Sequence, residues 1–174
     1  DQRIRRWGDV GELHVRGPGL LREYWNSPDA THQALTDDGW LRTGDLVRLG
    51  PLGSVLFAGR KKDVIKHGGY SVYAVEVEQA LEACPLVAEA AVVGLADERL
   101  GEVPVAFIRL ASPEKATTKA AAAKVVKAVL AFADEHMAEY KRPAEVHVVD
   151  ELPRTGTTKV QKQSLRDRLA ETDG

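Results

Sequence analysis

Three places along this 174-residue chain hold side chains with chemistry to offer. The first is Arg42-Thr43-Gly44-Asp45. A carboxylate on a glycine turn can accept two hydrogen bonds from a vicinal diol, the task an acidic residue performs on a ribose. The competing reading is an aspartate that closes a turn through its own backbone. The second place is Gly59–Tyr70, where Arg60, Lys61, Lys62 and Lys66 lead into Gly68-Gly69-Tyr70. Arg60 offers a permanent planar charge for a ribose oxygen or a phosphate, Lys66 a point charge, and the two glycines allow backbone amides close to a ligand. A solvated basic hairpin accounts for the same residues. The third is Pro153–Lys162, a turn-rich loop that delivers Lys159 just before the last helical segment.

Other chemistries are poorly supported. The spacing of a phosphate-binding P-loop is absent, and Gly17-Pro18-Gly19 is followed by Arg22 where a dinucleotide fingerprint needs glycine. The five histidines and Cys84 show no metal-ligand spacing. A net charge of −2 gives no electrostatic reason to expect nucleic acid, and the basic residues lack interleaved aromatics. No apolar run approaches the roughly 20 residues that span a bilayer. One cysteine rules out an internal disulfide, which suits a reducing, cytoplasmic setting. The chain opens at Asp1 without methionine, and is expected to be cut from something longer.

The elements that must position these residues change character near residue 60. Before it, residues 10–16 alternate as a strand, 24–35 read as a short helix, and 54–58 as another strand. Beyond it, 64–72 reads as a glycine-turn hairpin, 73–83 as a helix, 87–95 and 103–110 as two apolar strands, and 117–140 as a long helix. A strand at 145–149 and a helix at 162–170 follow. The mixture predicts an α+β fold.

Three ordered motifs carry a family resemblance: Leu41-Arg42-Thr43-Gly44-Asp45, Gly59–Tyr70 with Val75-Glu76-Val77-Glu78 after it, and Pro153-Arg154-Thr155 leading to Lys159. Gly11-Glu12-Leu13, Tyr24-Trp25-Asn26 and Tyr140-Lys141-Arg142-Pro143 add weaker agreement. The series resembles the C-terminal portion of the adenylate-forming superfamily of acyl-CoA synthetases, luciferases and peptide-synthetase adenylation domains, over nearly the whole chain.

The resemblance implies an ATP-dependent, AMP-forming reaction. A carboxylate displaces pyrophosphate from ATP to give an acyl-adenylate, and the thiol of coenzyme A then displaces AMP. Asp45, Arg60 and Lys159 would bind the nucleotide, with Lys159 and Lys66 catalytic in the first and second steps. Lys62 would be the hinge, and Gly68, Gly69, Tyr70 and Lys141 would serve coenzyme A. Residues 1–58 would be the β-rich tail of a large N-terminal domain, 59–62 the hinge, and 63–174 a small mobile domain with a three-stranded sheet packed on helices plus a β-hairpin. The remainder of the large domain, which would hold Mg2+ and the acyl pocket, would be the missing partner, so the isolated chain is expected to be inactive. A non-catalytic nucleotide- or partner-binding module, and a domain that loads a carrier protein, are the alternatives. The family usually has glycine directly before its last lysine, whereas Thr158 stands there here.

Overall fold

The computed structural model describes residues 7–156 and 159–172. They fall into two compact units that meet between Lys62 and Asp63.

The first unit is an antiparallel three-stranded sheet in the order β1-β2-β3, formed by Val10–Val15, Leu41–Leu49 and Val55–Arg60. A short helix, α1 (Pro28–Ala34), precedes β2. This helix starts later than the sequence pattern implies, because Asn26 takes a positive φ of 52° and Pro28 opens the first turn. Its C-terminal end is bound from outside. The Arg42 guanidinium donates to the carbonyls of His32, Gln33 and Leu35, at 2.6 Å for the last, so the helix carbonyls are satisfied by the strand that follows. Leu46, Val47 and Ala58 are buried, whereas Val55, Leu56 and Phe57 are consecutive and all more than half exposed. Successive side chains point to opposite faces, so both faces of β3 are uncovered at its start.

The second unit holds β4 (Val64–His67), β5 (Tyr70–Tyr73), α2 (Ala74–Glu82), β6 (Val87–Asp97), β7 (Gly101–Leu110), α3 (Lys119–His136), β8 (Glu145–Val148) and α4 (Lys162–Thr172). β6 and β7 form a long antiparallel pair, and alternate residues of both supply two separate cores. Val92, Ala106 and Ile108 pack with Val77, Leu81 and Val129 of α2 and α3. Ala91, Val93, Val105 and Phe107 pack with Leu165 and Leu169 of α4. Helices thus cover the pair on both sides, which explains why these strands read as continuous apolar runs. β8 joins the edge of β7 in parallel after the α3 crossover, completing the three strands expected from sequence.

The hairpin is not separate from that sheet: His67 pairs with Gly101, so β4 and β5 extend it to five strands. Gly101 permits the approach, since its φ is +82° and a Cβ there would sit 3.0 Å from the Lys66 carbonyl oxygen. The long helix is also shorter than expected. Thr118 caps its start by accepting from the Ala121 amide, and Met137 turns to extended backbone. Arg142 then donates to the carbonyls of Asp134 and Met137, closing the helix before Tyr140.

Candidate functional site

Asp45 does not lie on a turn. It sits within β2, opposite Arg60 of β3, where β2 bulges against β1. The bulge takes Thr43, Gly44 and Asp45 out of the regular ladder, and side chains satisfy the freed groups. Thr43 Oγ1 donates to the Leu13 carbonyl at 2.8 Å and accepts from the Asp45 amide at 3.1 Å, and the Gly44 amide donates to Glu12 Oε1 at 3.3 Å. Gly44 has a φ of +71°, which explains why glycine precedes the aspartate.

The Arg60 Nε lies 3.0 Å from Asp45 Oδ1. That oxygen is buried and, among the described residues, receives no aligned hydrogen bond, although the Arg60 charge lies beside it. A buried carboxylate oxygen without a donor is costly, and donors supplied by a ligand would relieve it. The structure therefore brings Asp45 and Arg60 together and leaves acceptor capacity at the aspartate.

Glu12 ties the bulge to the end of the unit, since its Oε2 accepts from Lys61 Nζ at 2.8 Å. Burial pushes the Glu12 carboxyl upward, but the hydrogen bond and charge of Lys61, the Gly44 amide and His14 outweigh it and hold the group below the usual glutamate range. A depressed folded pKa contributes stability that is complete above the unfolded value and is lost as pH falls through the folded one. Glu12→Gln is expected to flatten the loss of stability between about pH 5 and pH 3, as read from denaturant midpoints across that range.

In the second unit the hairpin carries Lys66, Gly68, Gly69 and Tyr70. His67 pairs with Tyr70 across a two-residue turn, and Gly68 and Gly69 have φ values of 56° and 85°. Two consecutive positive φ angles make this the tight hairpin turn that favours glycine at both positions, so backbone geometry accounts for both glycines without a ligand. Gly69→Val is expected to lower the unfolding free energy by about 1–2 kcal/mol, measured by denaturant titration. Glu102 fixes the hairpin to β7. Its carboxylate accepts from the Lys66 amide at 2.7 Å, its carbonyl meets His67 Nδ1 at 2.8 Å, and a Cβ at Gly94 would sit 3.0 Å from that carboxylate. Lys66 Nζ donates to Ser71 Oγ at 2.8 Å.

Tyr70 stacks on Tyr140, with centroids 4.5 Å apart, and Lys141 follows in a 3₁₀ turn over Glu139–Lys141. The structure thus gathers the hairpin tip and Tyr140-Lys141 on one surface of this unit. Lys141 is already paired with Glu76 at 2.7 Å. Tyr140 belongs to this cluster through its ring.

Lys159 is exposed, and its carbonyl accepts from the Thr155 amide at 2.9 Å. Thr158 lies outside the described residues. Lys62 is exposed in a 3₁₀ turn over Lys61–Asp63. Its neighbours are anchored to different units: Lys61 to Glu12, and Asp63 to Arg166 of α4 at 3.1 Å. Among the described residues no group of three or more His, Cys, Asp or Glu side chains could hold a metal ion. No helix among them is long and apolar enough to cross a membrane.

Residues 76–159 match the family model of the AMP-binding enzyme C-terminal domain. Within those residues the chain carries an AMP-binding enzyme C-terminal domain, the domain of the adenylate-forming acyl-CoA ligase superfamily. It is 39% identical over 168 residues to 2-succinylbenzoate–CoA ligase of Geobacillus kaustophilus, an alignment of 95% of this chain and 32% of the relative. It is 37% identical to medium-chain fatty-acid–CoA ligase of Escherichia coli, over 91% of this chain and 27% of that one. The solved structure of ATP-bound MatB from Rhodopseudomonas palustris superposes with a TM-score of 0.83 at 35% identity, over 94% of this chain and 31% of that one. The chain therefore spans about a third or less of each of these relatives.

Proposed function

We propose that this chain is the C-terminal part of a cytoplasmic, AMP-forming acid–CoA ligase, which joins a carboxylic acid to coenzyme A through an acyl-adenylate. The observation that carries the reading is the Asp45–Arg60 pair, with one buried carboxylate oxygen that accepts no aligned hydrogen bond among the described residues. Ribose hydroxyls are donors of the right kind, and Arg60 beside them adds a fixed charge for the same nucleotide.

On this reading residues 1–58 close a large nucleotide-binding domain, 59–62 are the pivot, and 63–174 are the mobile domain. The uncovered faces of β3 support the first part, because Val55, Leu56 and Phe57 need a neighbour to bury them. Lys159 stabilises the charge that grows on the α-phosphate and the carboxylate as pyrophosphate leaves. In the second step the thiol sulfur attacks the acyl carbon, AMP departs, and the thiol proton passes to solvent. Lys66, the Gly68-Gly69-Tyr70 turn and Lys141 line the coenzyme A side of that step. The relatives act on acids as different as succinylbenzoate and medium-chain fatty acids, and the acyl pocket lies outside this chain.

The test is AMP release by the intact enzyme with and without coenzyme A. Sustained turnover that requires coenzyme A supports the reading, while release indifferent to any thiol contradicts it. Asp45→Ala should raise the KM for ATP about 10- to 100-fold, since it removes hydrogen bonds to a charged acceptor. The chain alone should ligate nothing, and turnover by it would contradict the assignment.

A further inference from the structure

The loop that carries Lys159 is tied down at both ends, to two different elements. Upstream, Arg154 Nη2 donates to Glu89 Oε2 on β6 at 2.7 Å, and Arg109 of β7 lies 3.4 Å from Glu89 Oε1. Downstream, Lys162 Nζ at the start of α4 lies 2.7 Å from Glu78 Oε1 on α2. The same Glu78 oxygen accepts from the Val92 amide at 2.8 Å, which locks it against β6. The Lys162 and Glu78 side chains are each 15% exposed, so this pair is shielded from the screening that weakens surface ion pairs.

Between the anchors the loop holds its own register. Arg154 pairs with Val160 in an antiparallel bridge, the Thr155 amide donates to the Lys159 carbonyl at 2.9 Å, and the Gln161 amide donates to the Pro153 carbonyl at 2.7 Å. Pinning residues 154 and 162 therefore pins the backbone of Lys159 as well. Glu89 stands beside a register shift in β6, between apolar neighbours along its own strand and directly across from Arg109 of β7. The two arginines hold its carboxyl below the usual range against the opposing effect of burial.

We propose that Glu89 and Glu78 are positioning residues for Lys159: by gripping Arg154 and Lys162 they fix the base of the loop and hence the point from which the lysine ammonium is delivered. The inference rests on the role given to Lys159 above and adds two carboxylates that never touch substrate. A lysine side chain is long and flexible, so the placement of its backbone decides whether the charge arrives where it is needed. A displacement of about 1 Å can cost up to a hundredfold in rate.

The test is a mutant cycle in the intact enzyme. Glu89→Gln and Glu78→Gln together keep the shape and the acceptor for Val92 but remove both charges. They are expected to slow acyl-adenylate formation about tenfold through kcat, with little change in KM for ATP and none in thiol transfer to preformed acyl-adenylate. In a Lys159→Ala background the same pair should cost nothing further. Hydrogen exchange at the Thr155 and Gln161 amides should accelerate, while the β6–β7 ladder at Val93 and Val105 keeps its protection. Losses that multiply with Lys159→Ala, or unchanged exchange in the loop, overturn the proposal. If Lys159→Ala itself leaves adenylation intact, the role of that lysine fails instead, and the exchange data decide alone whether the two acids grip the loop.

Discussion

Lys159→Ala in the intact enzyme is expected to lower the rate of acyl-adenylate formation by about a hundredfold or more, while coenzyme A transfer from preformed acyl-adenylate should continue. The asymmetry follows from where charge changes. In the first step negative charge gathers on the oxygens around the α-phosphorus, and an ammonium placed there is worth several kcal/mol in a site closed to water. In the second step AMP is already the leaving group, and on the proposed reading the hairpin side of the unit serves the thiol. Single-turnover measurements of pyrophosphate release and of thioester formation read the two steps separately. Equal losses in both would contradict the assignment of Lys159.

Lys62→Pro is expected to do the reverse, slowing thioester formation at least about tenfold and leaving the first turnover of adenylate nearly intact. Lys62 lies between Lys61, which pairs with Glu12, and Asp63, which pairs with Arg166, so on the proposed reading the rotation would fall on the few bonds between those anchors. Proline locks φ near −65° at this residue and also restricts the residue before it. Lys62→Ala serves as the control, because it removes the charge and leaves the torsions free. If alanine and proline act alike, the side chain matters and the pivot does not.

Most elements of the fold were legible from periodicity. The apolar runs at 87–95 and 103–110 announced buried strands, and the helix at 73–83 lies within one residue of its expected ends. What failed to show were features set by distant partners. Arg142 decides where α3 stops, yet nothing within 117–140 reveals a guanidinium waiting for its carbonyls. The junction of hairpin and sheet depends on Gly101, thirty-odd residues beyond the turn it supports.

The candidate site divides in the same way. Asp45, Arg60, Lys66 and Lys159 stood out as charges on glycine-rich segments, but Asp45 lies in a strand bulge instead of a turn, and only the fold shows Arg60 across from it. Glu89 left a fainter trace. It is an acid within an otherwise apolar stretch, a pattern that signals a partner without naming it, whereas Glu78 is one of several polar residues along its helix and carries no such mark. Tyr70 and Tyr140 sit seventy residues apart, and their stacking had no local signal at all.

A structure of the intact enzyme with AMP bound tests the account most directly. It should show Asp45 accepting hydrogen bonds from the ribose hydroxyls, one of them at the buried oxygen that accepts no aligned hydrogen bond among the described residues, and Arg60 beside the same nucleotide. AMP bound elsewhere, with Asp45 turned from the sugar, would contradict it.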